Sequence, residues 1–209
     1  IILTLSNDLW EDVHTMHGNH HVFVTCKFLC GTRPCWLVPE NDPLGNLQHV
    51  KWKWSAGHRF DKDLCCKVAL KGHLEILQWL HVKGCPWDCR TCSYAAGGGH
   101  IEVLQWARAN GCSWDKFTCS HAAGGGQFEV LQWLRANGCP WDKYTCSSAA
   151  EGGHLEVLKW LRANGCPWDE WTCSSAARCG HLEVLQWARA NGCPWDKYTC
   201  IYAKKRWPP

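Results

Sequence analysis

The sequence predicts an all-α protein, a solenoid of stacked helix–turn–helix repeats with short connectors and little or no β-hairpin. Three observations predict this fold: a repeat of 27 residues, helix start and stop signals within each unit, and connectors too short for a useful strand. Two short helices cannot bury their apolar face alone, so we expect the units to stack into an elongated array. Such an array has one concave and one convex surface.

The repeat consists of columns of residues that recur at intervals of 27 positions. Blocks 115–141 and 142–168 are identical at 21 of 27 positions. A period that is sustained over five units is typical of a repeat protein. The five predicted units are 61–87, 88–114, 115–141, 142–168 and 169–195.

The first predicted helix of each unit begins after an aspartate. In the second unit, the Asp88 carboxylate can accept hydrogen bonds from the free N–H groups of the first helical turn. Cys92, Ala95 and Ala96 then share one face at helical spacing, and their small size allows this helix to pack closely. The glycine run 97–99 ends the helix.

The second predicted helix runs from about His100 to Asn110 and has an apolar side of Ile, Val, Leu, Trp and Ala residues. Its polar side carries Glu102 near the N-terminus and Arg108 near the C-terminus, where each charge suits the helix dipole. Gly111 stands where a left-handed C-cap residue is needed. The same polar side recurs in later units, which predicts a solvated row of mixed sign. Its arginines are Arg108, Arg135, Arg162 and Arg189.

The two ends of the array differ from the five units. Residues 45–60 match the second half of a unit imperfectly, with Trp52 falling 27 residues before Trp79. Residues 196–209 begin a further unit and then depart from it. We therefore predict a degenerate half-repeat at 45–60, a partial terminal repeat at 196–209 and a separate N-terminal segment at 1–44.

The repeated phrases resemble the ankyrin repeat. The shared elements are Ala-Ala-x-x-Gly-His-Leu-Glu-Val-Leu and a later Asn-Gly before the next unit. The resemblance covers about 45–203 and implies the ankyrin helix pair and a protein-binding role. The family period is about 33 residues, so this unit lacks roughly six residues of the region that forms β-hairpin fingers. The family motif Thr-Pro-Leu-His is replaced, for instance by Thr-Cys-Ser-Ser at 145–148, so we expect binding through helix faces rather than fingers.

Residues 5–13, Leu-Ser-Asn-Asp-Leu-Trp-Glu-Asp-Val, are similar to the opening of an F-box, with Ser6 in the place of the usual proline. Residues 23–30 would then form the second helix of that motif. The resemblance implies a substrate-recognition adaptor of a ubiquitin ligase, with a Skp1-like subunit as one partner and the repeats recognising the target. The alternative is that residues 1–44 are a plain helical cap over the first repeat.

The composition excludes several classes of protein. The 209 residues carry 22 Lys and Arg against 19 Asp and Glu, and this net charge of +3 is too balanced for a dedicated nucleic-acid binder. No apolar run reaches the ~20 residues that a membrane-spanning helix needs. The 17 cysteines are odd in number and no secretory signal is recognisable, so we expect an intracellular protein, cytoplasmic or nuclear, with reduced thiols.

The sequence contains no pattern that is typical of an active site, such as a nucleophile–base set, a phosphate loop or a confined carboxylate pair. We therefore expect a non-catalytic protein without a cofactor. A histidine column at the start of the second helices is better explained by hydrogen bonds between units than by general-base chemistry. The column is His73, His100, His154 and His181.

Ten of the 17 cysteines fall in two columns of the repeat, which favours core packing, because a buried cysteine behaves as a small hydrophobic residue. A weak alternative, zinc binding, rests on two local clusters, although neither spacing matches a firm template. The clusters are Cys85, Cys89, Cys92 and, in the N-terminal segment, His20, His21, Cys26, Cys30, Cys35.

Three positions of the first helix, the third, seventh and tenth of the unit, vary between units. In the ankyrin arrangement this helix lines the concave side. Aromatic residues flanked by variable polar residues are typical of protein-binding surfaces, although the aromatics could instead cover the seams between repeats. The predicted partner-binding residues are Arg90, Tyr94, Phe117, His121, Tyr144, Glu151, Trp171, Arg178 and Tyr198.

Overall fold

In the computed structural model, which describes residues 45–207, twelve α-helices follow one another and no strand occurs within that range. The helices are α1 Leu47–Ser55, α2 Lys62–Leu70, α3 Leu74–Val82, α4 Cys89–Gly97, α5 Ile101–Ala109, α6 Lys116–Gly124, α7 Phe128–Ala136, α8 Lys143–Gly152, α9 Leu155–Ala163, α10 Glu170–Cys179, α11 Leu182–Ala190 and α12 Lys197–Arg206. The predicted fold class, an all-α array of stacked helical hairpins, is confirmed. None of these helices is long and apolar enough to cross a bilayer.

Each of the five predicted units holds one helix pair, from α2 with α3 to α10 with α11. The first helix begins where the sequence predicts, because the Asp88 carboxylate accepts a hydrogen bond from the Arg90 N–H at 3.0 Å. The later units repeat this cap, and in α8 the Thr145 hydroxyl also accepts from the Asp142 N–H, at 3.4 Å. The second helix ends at Ala109 and is capped by Asn110, and Gly111 follows with φ of +85°, which favours glycine because it has no Cβ.

The first helices of successive units pack directly against one another. Their facing side chains are small and fully buried, as at Thr145, Cys146 and Ala149. The second helices add larger buried side chains, such as Leu158 and Leu161. One continuous core therefore runs along the stack, built from small residues on the first helices and leucines on the second helices.

The histidine column links neighbouring units, as predicted. The His154 Nε2–H donates to the Gly124 carbonyl oxygen of the preceding unit at 3.1 Å. His100 and His181 make the equivalent bonds, to the carbonyls of Leu70 at 3.0 Å and Glu151 at 2.9 Å. These bonds satisfy carbonyl groups at the ends of first helices, and they explain a repeated polar residue without any catalytic role.

Candidate partner-binding face

The nine predicted partner-binding residues all lie on first helices, on α4, α6, α8, α10 and α12. We call the solvent-facing side of these five helices the first-helix face. The third residue of each unit falls in the first helical turn, two residues after the capping aspartate. Its side chain therefore points away from the buried Thr, Cys and Ala positions that follow it on the same helix.

The aromatic members of the first-helix face are about half exposed. Relative exposure is 49% for Phe117, 46% for Tyr144, 58% for Trp171 and 50% for Tyr198. A seam-covering role would bury these rings between units, and the other aromatic columns of the array are in fact half-buried there. The rings of the first-helix face thus remain available to another molecule.

Lysines lie between these rings. The Lys116 Nζ is 5.5 Å from the ring centroids of both Phe117 and Tyr144, and 2.9 Å from the Asp142 carboxylate. The hydrogen bond to Asp142 raises the pKa of Lys116. Lys143 repeats the pattern with Asp169 at 2.8 Å. The positive charges are therefore locally balanced, and the face is predominantly aromatic rather than basic.

Several predicted polar residues of the face are already engaged with one another. Arg178 forms an ion pair with Glu151 at 2.9 Å, and Arg90 bonds Asp63 at 3.0 Å as well as its own capping Asp88. The His121 Nδ1–H donates to the Phe117 carbonyl at 2.8 Å, and its ring lies 5.8 Å from that of Tyr94. These polar side chains are about as exposed as the rings, but they are already paired with other groups of the array.

On the other side of each hairpin, arginine and tryptophan form a repeated arrangement that the sequence analysis missed. The Arg135 guanidinium lies 3.8 Å from the Trp141 ring centroid and donates to the Cys139 carbonyl at 3.1 Å. Trp141 in turn meets Trp160 of the next unit edge-on, with centroids 5.9 Å apart. We call this arrangement the Arg–Trp clamp. The equivalent clamps are Arg108–Trp114–Trp133 and Arg162–Trp168–Trp187.

The clamp corrects the expectation of a solvated arginine row. Arg108, Arg135 and Arg162 are half-buried, and each stacks on a tryptophan six residues later. Guanidinium groups favour such packing because they are weakly hydrated and planar. Arg189 alone is exposed, 3.1 Å from the Trp195 ring centroid. The constant spacing of arginine to tryptophan was the signal that could have revealed the clamp.

The cysteines of the first proposed zinc cluster face different neighbours. Cys85 contacts the Cys65 thiol at 3.5 Å, Cys92 approaches the Cys112 carbonyl at 4.0 Å, and Cys89 is half-buried near Asp115. Within residues 45–207, no group of three or more His, Cys, Asp or Glu side chains converges as a metal site would require. The second cluster, residues 20–35, lies outside the described residues, as does the F-box-like stretch 5–30.

The comparisons with known proteins agree with this architecture. Residues 146–189 match the family model for ankyrin repeats in many copies. Comparison with curated protein sequences finds no significant relative of this chain. Among solved structures, the human ASB11 ankyrin repeat domain superposes with a TM-score of 0.53, covering 68% of this chain and 76% of that chain at 16% sequence identity. Residues 146–189 thus match the ankyrin-repeat model, and the stacked helical hairpins of residues 45–207 have a fold similar to that of an ankyrin repeat domain.

Proposed function

We propose that the protein is a non-catalytic interaction scaffold and that a partner protein binds its first-helix face. Ankyrin repeats generally mediate protein–protein interaction, and this chain shares their fold. We choose this face because one aromatic column is exposed there. Its residues are Phe117, Tyr144, Trp171 and Tyr198. The other aromatic columns of the array are largely packed between repeats.

The chemistry of the aromatic column suits a protein partner. Large rigid rings contribute much contact area for little loss of side-chain entropy, and Trp and Tyr are enriched among the residues that dominate binding energy. Trp171 is the most exposed of the four rings and lies between Tyr144 and Tyr198 in the column. We therefore expect Trp171 to contribute most to binding.

The experiment compares a triple variant of the face with a variant that removes other exposed apolar groups. Phe117→Ala/Tyr144→Ala/Trp171→Ala should lower partner capture by tenfold or more, as measured by quantitative affinity purification of the full chain. Val82→Ala/Leu182→Ala removes exposed apolar side chains outside the face, at 79% and 42% exposure, and should leave capture unchanged. Equal capture by both variants would place the partner site elsewhere.

A second candidate function is that of a substrate-recognition adaptor in a ubiquitin ligase. The observation in its favour is the F-box-like sequence at 5–13, joined to an array that can recognise a target. Co-purification with a Skp1-like subunit, lost on Leu9→Asp, would support it, and no association of the full chain would refute it. An intracellular location, cytoplasmic or nuclear, belongs to both proposals, and the free thiols of residues 45–207 support it.

A further inference from the structure

The two cysteine columns meet within each unit. One thiol stands on the first helix and the other lies 20 positions later, in the connector that follows the second helix. The pairs are Cys65/Cys85, Cys92/Cys112, Cys119/Cys139, Cys146/Cys166 and Cys173/Cys193. Core packing explains why these positions hold small residues, but it does not require a thiol on both sides of the contact.

The Cys65/Cys85 pair has the closest described approach of two sulfur atoms, at 3.5 Å. The same Cys85 thiol lies 3.5 Å from the Asp61 carbonyl oxygen and 3.6 Å from that of Phe60. A disulfide bond is about 2.05 Å long, so closure requires the two sulfurs to approach by roughly 1.5 Å. The connector at Cys85 can supply part of this movement, because it lies between helices rather than within one.

We propose that Cys65 and Cys85 form a redox-active pair that a hydroperoxide converts to a disulfide within the first full repeat. The Cys85 thiolate attacks the peroxide oxygen, which breaks the O–O bond and gives a sulfenic acid and, after protonation, water or an alcohol. The Cys65 thiol then attacks the sulfenic sulfur and expels water. Two S–H bonds are lost, one S–S bond forms, and the two electrons reduce the peroxide.

Access favours this pair over those in the middle of the array. Cys85 is 6% exposed, whereas Cys119 and Cys139 are both fully buried. The hydrogen bond donated by the Cys65 thiol lowers the pKa of Cys85, and the thiolate is the reactive form of cysteine. Cys65/Cys85 is therefore expected to react before the fully buried pairs in the middle of the array.

The disulfide would tie helix α2 to the connector after α3. This closes a loop of 20 residues that contains the C-terminal part of α2 and all of α3. A cross-link of this length restricts the unfolded chain, and we expect the melting temperature to rise by on the order of 5 °C. Oxidation would thus make the array more resistant to unfolding without changing the first-helix face.

The test uses the full chain, treated with hydrogen peroxide or with a reductant, alkylated and digested with trypsin. Oxidation should link the peptide of residues 63–67 to that of residues 84–90, lighter by two hydrogens than their sum. Each peptide holds a second cysteine that serves as a matched control, Cys66 beside Cys65 and Cys89 near Cys85. Cys65→Ser and Cys85→Ser should abolish the link and the rise in melting temperature, whereas Cys66→Ser and Cys89→Ser should retain both.

The exposed thiol of Cys200 reports whether the oxidant has reached the protein. If Cys200 is oxidised while the two peptides of the wild-type chain remain unlinked, the proposal is wrong. A link that survives in Cys65→Ser would assign the chemistry to Cys66 and would also overturn it. Should Cys65→Ser fail to fold, as judged by circular dichroism, fragmentation of the linked wild-type peptides between Cys65 and Cys66 decides the same question.

Discussion

The seams between repeats and the first-helix face use the same aromatic residue types in opposite ways. In a seam, Trp141 is held between Arg135 and Trp160 and is half-buried. Three residues along the chain, Tyr144 stands on the first-helix face and is 46% exposed. The seam tryptophan is the same residue in every unit, whereas the position of Tyr144 holds Asp, Arg, Phe, Trp or Tyr in the other units.

Within one short unit, the seam residues therefore stabilise the fold, and the residues of the first-helix face are left to contact a partner. A residue that must fit both its own unit and the next has two sets of neighbours to satisfy, so the array repeats it unchanged. A residue that faces solvent has no such constraint, and its identity can follow a partner. We therefore expect substitutions in the seams to lower the free energy of unfolding by more than substitutions on the face do.

The largest effect should come from the Arg–Trp clamp. Trp141→Ala removes a guanidinium contact, an edge-on indole contact and buried apolar area, and we expect a loss of about 3 kcal/mol in the free energy of unfolding. Tyr144→Ala, on the face, should cost less than ~0.5 kcal/mol. Urea denaturation followed by circular dichroism measures both. If the two variants lose similar amounts of unfolding free energy, the seam and the face do not differ in their contribution to stability.

A smaller effect is expected at the glycines with positive φ. Gly126, at φ of +70°, lies in a seam, where an added Cβ would come within 2.6 Å of the His154 ring. Gly138, at φ of +76°, lies in a connector with no atom within 4 Å of an added Cβ. Gly138→Ala should cost ~1 kcal/mol from backbone strain alone, and Gly126→Ala ~2 kcal/mol, because the ring must also move. Chemical denaturation of the two variants side by side checks this ranking.

The histidine bond between units should contribute less again. His154→Ala removes the bond to the Gly124 carbonyl, and we expect a loss of ~1 kcal/mol. His154→Gln should recover at least half of that loss, since Gln127 occupies the same column one unit earlier. Thermal unfolding distinguishes the two variants. A glutamine variant no more stable than the alanine variant would show that ring packing, and not the hydrogen bond, is what the seam requires.

The smallest effect should come from an ion pair on the first-helix face. Arg178 and Glu151 are both about half exposed, at 50% and 54% of their side chains, so water and salt screen their attraction. Arg178→Ala should therefore change the free energy of unfolding by at most ~0.5 kcal/mol, and less at high salt. Melting curves at low and high ionic strength test this. A large, salt-independent loss would place Arg178 among the residues that hold the repeats together.

The local features of the fold could be predicted from the sequence because each depends on neighbours within a few residues. The cap at Asp88, the left-handed Gly111 and the small residues of α4 all belong to this class. Contacts between units were harder to predict, because a period shows which residues are equivalent but not which residue of the next unit each one meets. The edge-on contact of Trp141 with Trp160 of the next unit was missed for that reason.

The candidate site shows the same division. The exposed positions of Phe117, Tyr144 and Trp171 follow from the variability between units. The ion pair of Arg178 with Glu151 was not foreseen, although the two residues stand 27 positions apart in one column and carry opposite charges. Comparing charges down a column, and not only residue sizes, would have identified it.

The register of the clamp has a consequence for how such a chain can change in length. Trp114 meets Trp133, 19 positions onward, and Trp141 meets Trp160 at the same interval. Deletion of residues 115–141 would bring Trp160 to the place that Trp133 occupied, with Arg108 still stacked on Trp114. Gain or loss of a whole unit preserves the tryptophan contact at every junction between units. Insertion or deletion of any other number of residues would shift one tryptophan of such a contact out of register with the other. The array can therefore be extended by duplication, or shortened by deletion, of one unit at a time. Each such step changes the number of exposed aromatic rings on the first-helix face.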